Sequence, residues 1–192
     1  MTLRNITCAV TLCLLTLSGQ AVGKTEVPPY KNKSLSIEKR VDDLMGRMTL
    51  REKVLQLQNR GAGRLDEIDR IFNGESYGCT HEMGTTAAEC AAMYKELQQY
   101  MLTKTRLGIP IITSAEGIQG ILQNNCTLFP HALAQGSTFN PALIQRMTEA
   151  AGEEAKVIGI HQILSPVLDI ARELRWGRVE ETFGEDPYLI SE

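Results

Sequence analysis

An α/β fold built on parallel strands is what this sequence predicts, and three observations carry the prediction. Short apolar or β-branched runs alternate with stretches of helical periodicity from about residue 87 onward. Polar and acidic residues gather directly after those runs. Asn140-Pro141 opens a long helix between two of them, which makes a strand-helix-strand crossover whose strands must run parallel and whose helix must cover the sheet. An α/β barrel and a doubly wound sheet share this layout, and periodicity does not separate them. In both, the carboxyl ends of the strands carry the chemistry.

The elements follow in order. Residues 1–26, MTLRNITCAVTLCLLTLSGQAVGKTE, join a positive Arg4 to an apolar run over 6–17 and small residues at Ala21 and Gly23. That is the pattern of a cleaved secretory signal, read here as 1–23. The run is shorter than the roughly 18–20 residues that cross a bilayer, so the expectation is a secreted or periplasmic protein with no membrane contact once the signal is removed. Residues 24–40, with Pro28, Pro29 and several lysines, read as a linker, and 41–192 as the domain.

Val41, Leu44, Met45 and Met48 recur at helical spacing and predict one apolar face, read as core packing. Thr49 and Glu52 form the Thr-x-x-Glu capping box that restarts a helix over 50–59. The glycine-rich stretch 61–84 reads as irregular apart from a short helix at 65–72, and it holds no phosphate-cradling glycine motif. Thr86 and Glu89 form a second capping box, opening a helix to about Lys104. Residues 109–113, IPIIT, predict a short buried strand, and residues 128–133 a second apolar segment with a polar loop behind it. Asn140 caps the next helix, Pro141 presets its first turn, and Gly159 ends it. IHQILSPVLDI supplies the third strand, and DPYLISE starts another helix.

Composition narrows the chemistry. The net charge of −3 without a Lys/Arg run gives no footprint for nucleic acid or anionic lipid. His81, His131 and His161 are far apart, and neither CxxC nor HExxH occurs, so no metal and no cofactor is expected. After signal removal Cys79, Cys90 and Cys126 remain, an odd number that allows at most one internal disulfide; the alternative is three buried or half-buried thiols. Nothing in the sequence points to an oligomeric state.

Five segments, in order, are similar to a known family. MTLREKVLQL, TRLGIPIITSAEGIQGI, LFPHALAQGSTFN, GEEAKVIG and SPVLDIARELRWGRVEETFGEDPYLISE together resemble glycoside hydrolase family 3, the β-glucosidases and β-xylosidases. The resemblance runs from about Val41 to Glu192. It implies the N-terminal part of a (β/α)8 barrel, truncated here. It also implies retaining hydrolysis of β-glucosides or β-xylosides at the non-reducing end, with an oligosaccharide or glycoside as partner. Two carboxyl groups about 5 Å apart perform that reaction, and the family's nucleophile and acid/base both belong to later motifs absent from this sequence. No catalytic residue is therefore expected here.

Residue by residue, the resemblance implies substrate-binding roles for Glu116 in AEGIQG and Arg178 in RWGR, with Glu181 beside Arg178 as a supporting acid. A carboxylate accepts from two hydroxyls, and a guanidinium presents a rigid donor fork. Taken without the resemblance, Arg178 and Glu181 are an ordinary exposed ion pair and Glu116 an ordinary loop acid. Asp169 is expected to tie loop backbone together and Trp176 to pack beneath the loop. Glu173-Leu174 replaces the family's usual Asp-Pro, which removes a rigid turn residue, and Gln119 stands where His is frequent. The rival functional reading is a non-catalytic secreted sugar-binding module on a partial barrel.

Overall fold

A computed structural model describes residues 27–81 and 86–192. The expected signal, residues 1–23, lies outside them. The chain divides into two compact units, up to Gly46 and from Arg47 onward.

In the first unit a single 3-10 turn, Pro29–Lys31, precedes α1, Ile37–Arg47. Tyr30 ties the two together: its N–H donates to Asp43 Oδ2 at 3.1 Å and its carbonyl accepts from Arg40 Nε at 3.1 Å. The helix starts inside the stretch read as linker, because the Ser36 carbonyl already accepts from the Arg40 N–H. No α1 side chain is fully buried, and Val41 and Met45 stay exposed. Of the stripe expected to pack in the core, Leu44 and Met48 are half-buried and Val41 and Met45 exposed.

The second unit opens with α2, Leu50–Leu55, whose N-terminus is the predicted box: Thr49 Oγ1 accepts from the Glu52 N–H at 3.2 Å, and Glu52 accepts from the Thr49 N–H at 2.8 Å. The helix is shorter than expected. The chain beyond it is drawn into pairing with β1, Cys79–His81, through Cys79 N to Gln58 O and Arg60 N to Cys79 O. Between them lies the short helix α3, Ile68–Phe72.

Helix α4, Ala87–Lys104, has its capping box at Thr86 and Glu89, and leads to β2, Ile112–Glu116. The strand sits three residues later than the β-branched run predicted. Pro110 has no N–H to give, the Ile111 N–H is taken by the Gln98 side chain, and the ladder begins when Ile112 N donates to Gly78 O. Residues 128–133 do not form a strand: Ala132–Gly136 is the helix α5. Ala, Leu and Gln favour helix, and Gln135 anchors the start by donating from its amide to Pro130 O at 2.8 Å.

Helix α6, Pro141–Ile158, matches its sequence signals at both ends. The Asn140 side chain accepts from Leu143 N at 3.1 Å, and Gly159 closes the helix at φ 91°, a left-handed conformation that glycine adopts without strain. Strand β3 is only Gln162–Leu164; beyond it Pro166 stops the ladder and the chain becomes a long loop. A 3-10 turn, Val179–Glu181, and α7, Pro187–Ser191, capped by Asp186, complete the unit.

The sheet has the order β1-β2-β3, with both pairs parallel. This sequential order, with helices in each connection, is the first part of a (β/α)8 barrel. Phe72, Leu97, Met101, Ile111 and Ile121 form the fully buried centre, and α6 contributes the small residues Ala151 and Ala155. Thr80 and Thr113 are buried beside them. The Thr113 hydroxyl donates to Gly159 O at 2.6 Å, which ties the end of α6 to the strand.

Candidate functional site

Glu116 is the last residue of β2, and its side chain remains partly exposed at the carboxyl end of the sheet. Arg178 and Glu181 come from the long loop after β3. Four local contacts fix that loop. Val167 bridges Thr182, and the Ala171 N–H donates to Gly184 O at 3.0 Å. Thr182 is fully buried, and its hydroxyl donates to Val179 O at 2.8 Å. Gly136 of α5 lies so close to the Phe183 backbone that a Cβ there would collide with the Phe183 carbonyl.

On this frame Arg178 precedes the 3-10 turn that carries Glu181. Its Nε donates to both carboxylate oxygens of Glu181 at 2.9 Å, and Nη2 donates to Oε2 as well. Glu181 is the more enclosed partner, with 18% of its side chain exposed against 56% for Arg178. The guanidinium is held further toward its charged form, first by the hydrogen bonds and charge of Glu181, then by the charges of Asp169 and Glu116. Glu181 is held below the usual carboxylate range by Arg178, with His131 adding to the effect. The structure brings Glu116, Arg178 and Glu181 into one electrostatic neighbourhood. Asp169, read from the sequence as a brace for the loop backbone, also contributes its charge to Arg178.

Other parts of the loop differ from expectation. Trp176 is half-buried rather than packed beneath the loop. The Glu173 that replaces the usual Asp accepts from the Arg175 backbone N–H and from its Nε, both at 2.9 Å, so an ion-pair clip stands where the rigid turn was lost. These bonds hold the Glu173 carboxyl at about 2. The Gln119 side-chain oxygen is buried with no hydrogen-bond partner among the described residues.

His81, which sequence reasoning passed over, stands at the end of β1. Its Nε2 is 3.7 Å from Glu116 Oε1, and its Nδ1 is 3.2 Å from Ser114 Oγ. The signal was absent because Cys79–His81 shows neither alternation nor an apolar run. Once β1 is recognised, a histidine at a strand's carboxyl end is a natural candidate.

A cavity of about 700 Å3 does not include this cluster. It is lined mainly by apolar side chains, including Met147, Ile163, Pro166 and Ile190, and carries none of Glu116, Arg178 or Glu181. A ligand rich in hydroxyls would find few partners there. Among the described residues no group of three or more His, Cys, Asp or Glu is arranged to hold a metal ion. Among the described residues Cys79, Cys90 and Cys126 form no disulfide with one another.

A sequentially ordered parallel sheet with helices in its connections defines the class: the first part of a (β/α)8-barrel protein. The chain belongs to glycosyl hydrolase family 3, and residues 49–192 match the model of that family's N terminal domain. It is 34% identical over 183 residues to a putative beta-xylosidase of Formosa agariphila, covering 88% of this chain and 24% of that protein. It is also 34% identical over 183 residues to beta-glucosidase C of Emericella nidulans, covering 86% of this chain and 30% of that one. Among solved structures, a β-glucosidase from Erythrobacter marinus is similar at TM-score 0.67 and 30% identity, over 85% of this chain and 23% of the other. The chain therefore spans 24% and 30% of the length of these two curated relatives.

Proposed function

We propose that this chain forms the sugar-gripping wall of an exported β-glycosidase that releases a terminal glucose or xylose by a retaining mechanism. Glu116 accepts hydrogen bonds from hydroxyls of the non-reducing sugar, Arg178 donates to them, and Glu181 holds Arg178 in place. The nucleophile and the acid/base, two carboxyl groups about 5 Å apart in such reactions, would be supplied by sequence beyond Glu192. The secreted or periplasmic location rests on the signal pattern of residues 1–23.

One observation supports this reading above the others. An acid ending β2 and a fork-paired arginine from the loop after β3 share one electrostatic neighbourhood at the carboxyl ends of parallel strands. An isolated surface ion pair would have no reason to meet a third and fourth charge there. Family membership and the named activities of the relatives agree with it.

Calorimetric titration of the chain with glucose and with xylose tests the proposal. Binding of at least one sugar is expected, weakened on the order of tenfold or more by Arg178→Ala, since hydrogen bonds to charged groups contribute about 1.5–3 kcal/mol. No turnover of a chromogenic β-glucoside is expected from the chain alone. Sugar binding indifferent to Arg178→Ala and Glu116→Ala would refute the assignment of the site.

A further inference from the structure

We propose that His81 is a second sugar-contacting residue, its unprotonated Nε2 acting with Glu116 Oε1 as a two-point acceptor for neighbouring hydroxyls of the terminal sugar. The proposal rests on the site reading above and extends it to a residue from a third segment of the chain.

The register places the residues. His81 pairs with Ser114 across the β1/β2 ladder, and Glu116 lies two residues beyond Ser114, on the same face of β2. All three side chains therefore meet at the carboxyl end of the sheet. Ser114 is buried, and it decides what His81 presents. Its hydroxyl has a single proton, which it donates to Thr80 O at 2.9 Å. Toward His81 Nδ1, 3.2 Å away, the Ser114 oxygen can then only accept. The neutral imidazole is thereby held as the Nδ1–H tautomer, and the bare lone pair sits on Nε2.

That lone pair faces a carboxylate oxygen at 3.7 Å, beyond direct hydrogen-bond reach. Two acceptors at this separation repel weakly when left alone, and are satisfied together by donors that approach both. Neighbouring ring hydroxyls of a sugar are such donors, each able to reach one acceptor at about 2.7–2.8 Å. About a third of each side chain is exposed, 32% for His81 and 37% for Glu116, so a ligand can reach both. A carboxylate has about four lone-pair sites, so bonds that Glu116 already makes leave capacity for the sugar. Arg178, on the loop after β3, supplies the donors that this pair lacks.

The experiment uses the 192-residue chain with nitrogen-15-labelled histidine. Nitrogen NMR of the neutral His81 ring is expected to show a protonated Nδ1 and a bare Nε2; the opposite tautomer overturns the proposal without any mutation. Methyl β-glucoside and a series of its analogues, each lacking one ring hydroxyl, are then titrated against wild type, His81→Phe and Glu116→Ala. His81→Phe keeps the ring shape and removes both nitrogens. It is expected to weaken binding about two- to tenfold, the range for one neutral hydrogen bond. One deoxy analogue should lose a similar factor against wild type and nothing further against His81→Phe, the signature of a direct pair.

If His81→Phe discriminates among the analogues as wild type does, while Glu116→Ala loses affinity, His81 is not a contact and the site reading survives. If wild type binds no sugar, or Glu116→Ala and Arg178→Ala bind as well as wild type, the site reading fails and this inference falls with it. Should His81→Phe fold poorly by circular dichroism, His81→Gln serves in its place. Its side-chain carbonyl is an acceptor, so the deoxy analogue should still be penalised.

Discussion

Replacing Gly136 by alanine tests how tightly the Arg178 loop is seated on α5. An added Cβ overlaps the Phe183 carbonyl oxygen and falls 3.1 and 3.2 Å from its carbonyl carbon and Cα, all backbone atoms that no side-chain rotation can move away. Such overpacking costs roughly 1–3 kcal/mol. The helix itself gains up to about 1 kcal/mol from alanine. The net expectation is a loss of about 1–2 kcal/mol, together with displacement of residues 165–184 and weaker sugar binding. Gly152, in the middle of α6, is the control, because nothing lies within 4 Å of its would-be Cβ. Gly152→Ala should stabilise by about 0.5–1 kcal/mol and leave binding unchanged. Urea unfolding reads both. With a slope of about 1–3 kcal/mol per molar for a small protein, the two midpoints should separate to opposite sides of wild type by measurable fractions of a molar. Equal stabilisation by both substitutions would refute the close approach of α5 to the loop, and with it the account of how Arg178 is positioned.

Asn140→Ala removes the acceptor for Leu143 N and should cost about 1 kcal/mol, with Asn140→Asp retaining most of the stability in the same urea assay. Glu52 is held down to about 2, first by the Arg106 guanidinium, against burial that pushes it up, and then by Thr49. Because its folded-state value lies below its unfolded one near 4.5, the stabilisation is complete above that pH and disappears as pH falls toward 2. In this partly solvated pair it is worth about 1 kcal/mol after screening, and Glu52→Gln should flatten the melting temperature across that window. Burial, and then the Glu154 carboxylate, push the Cys126 thiol up, so its alkylation should lag that of a free cysteine at mildly alkaline pH; an unchanged rate in Glu154→Gln would count against the charge contribution.

What could be read from the sequence was what local chemistry determines. Thr49, Thr86, Asn140, Gly159 and Asp186 are caps whose partners lie a few residues away, so the helix boundaries they set were legible. The strands were legible only in part: β2 and β3 fall within or beside the runs expected at 109–113 and 160–170, with different bounds, whereas Cys79–His81 is too short to show a period and its existence depends on a partner far along the chain. Thr80 illustrates the difficulty: a polar residue that nothing local marks as interior is fully buried, paired with Thr113 across the ladder and accepting from the Ser114 hydroxyl. The site divides in the same way. Arg178 and Glu181 are three residues apart and carried by a long motif, whereas His81 joins Glu116 only through the β1/β2 register.

The charges themselves argue for the kind of ligand this site suits. The charges of Glu116, Asp169 and Glu181 all act on the Arg178 guanidinium, with Glu181 already spent on the fork that holds it. An anion approaching this cluster meets carboxylates, and a bare cation meets Arg178. A neutral polyol avoids both penalties, because each hydroxyl can donate to a carboxylate while accepting from the guanidinium. Bonds to charged partners are roughly twice as strong as neutral ones, so such a ligand needs few contacts to be oriented. Glu181 makes this arrangement durable: by bonding Arg178 at Nε it fixes the plane of the guanidinium and leaves the remaining donors aimed in set directions. Under the proposed function, the arrangement would orient a sugar through directional bonds rather than through net attraction.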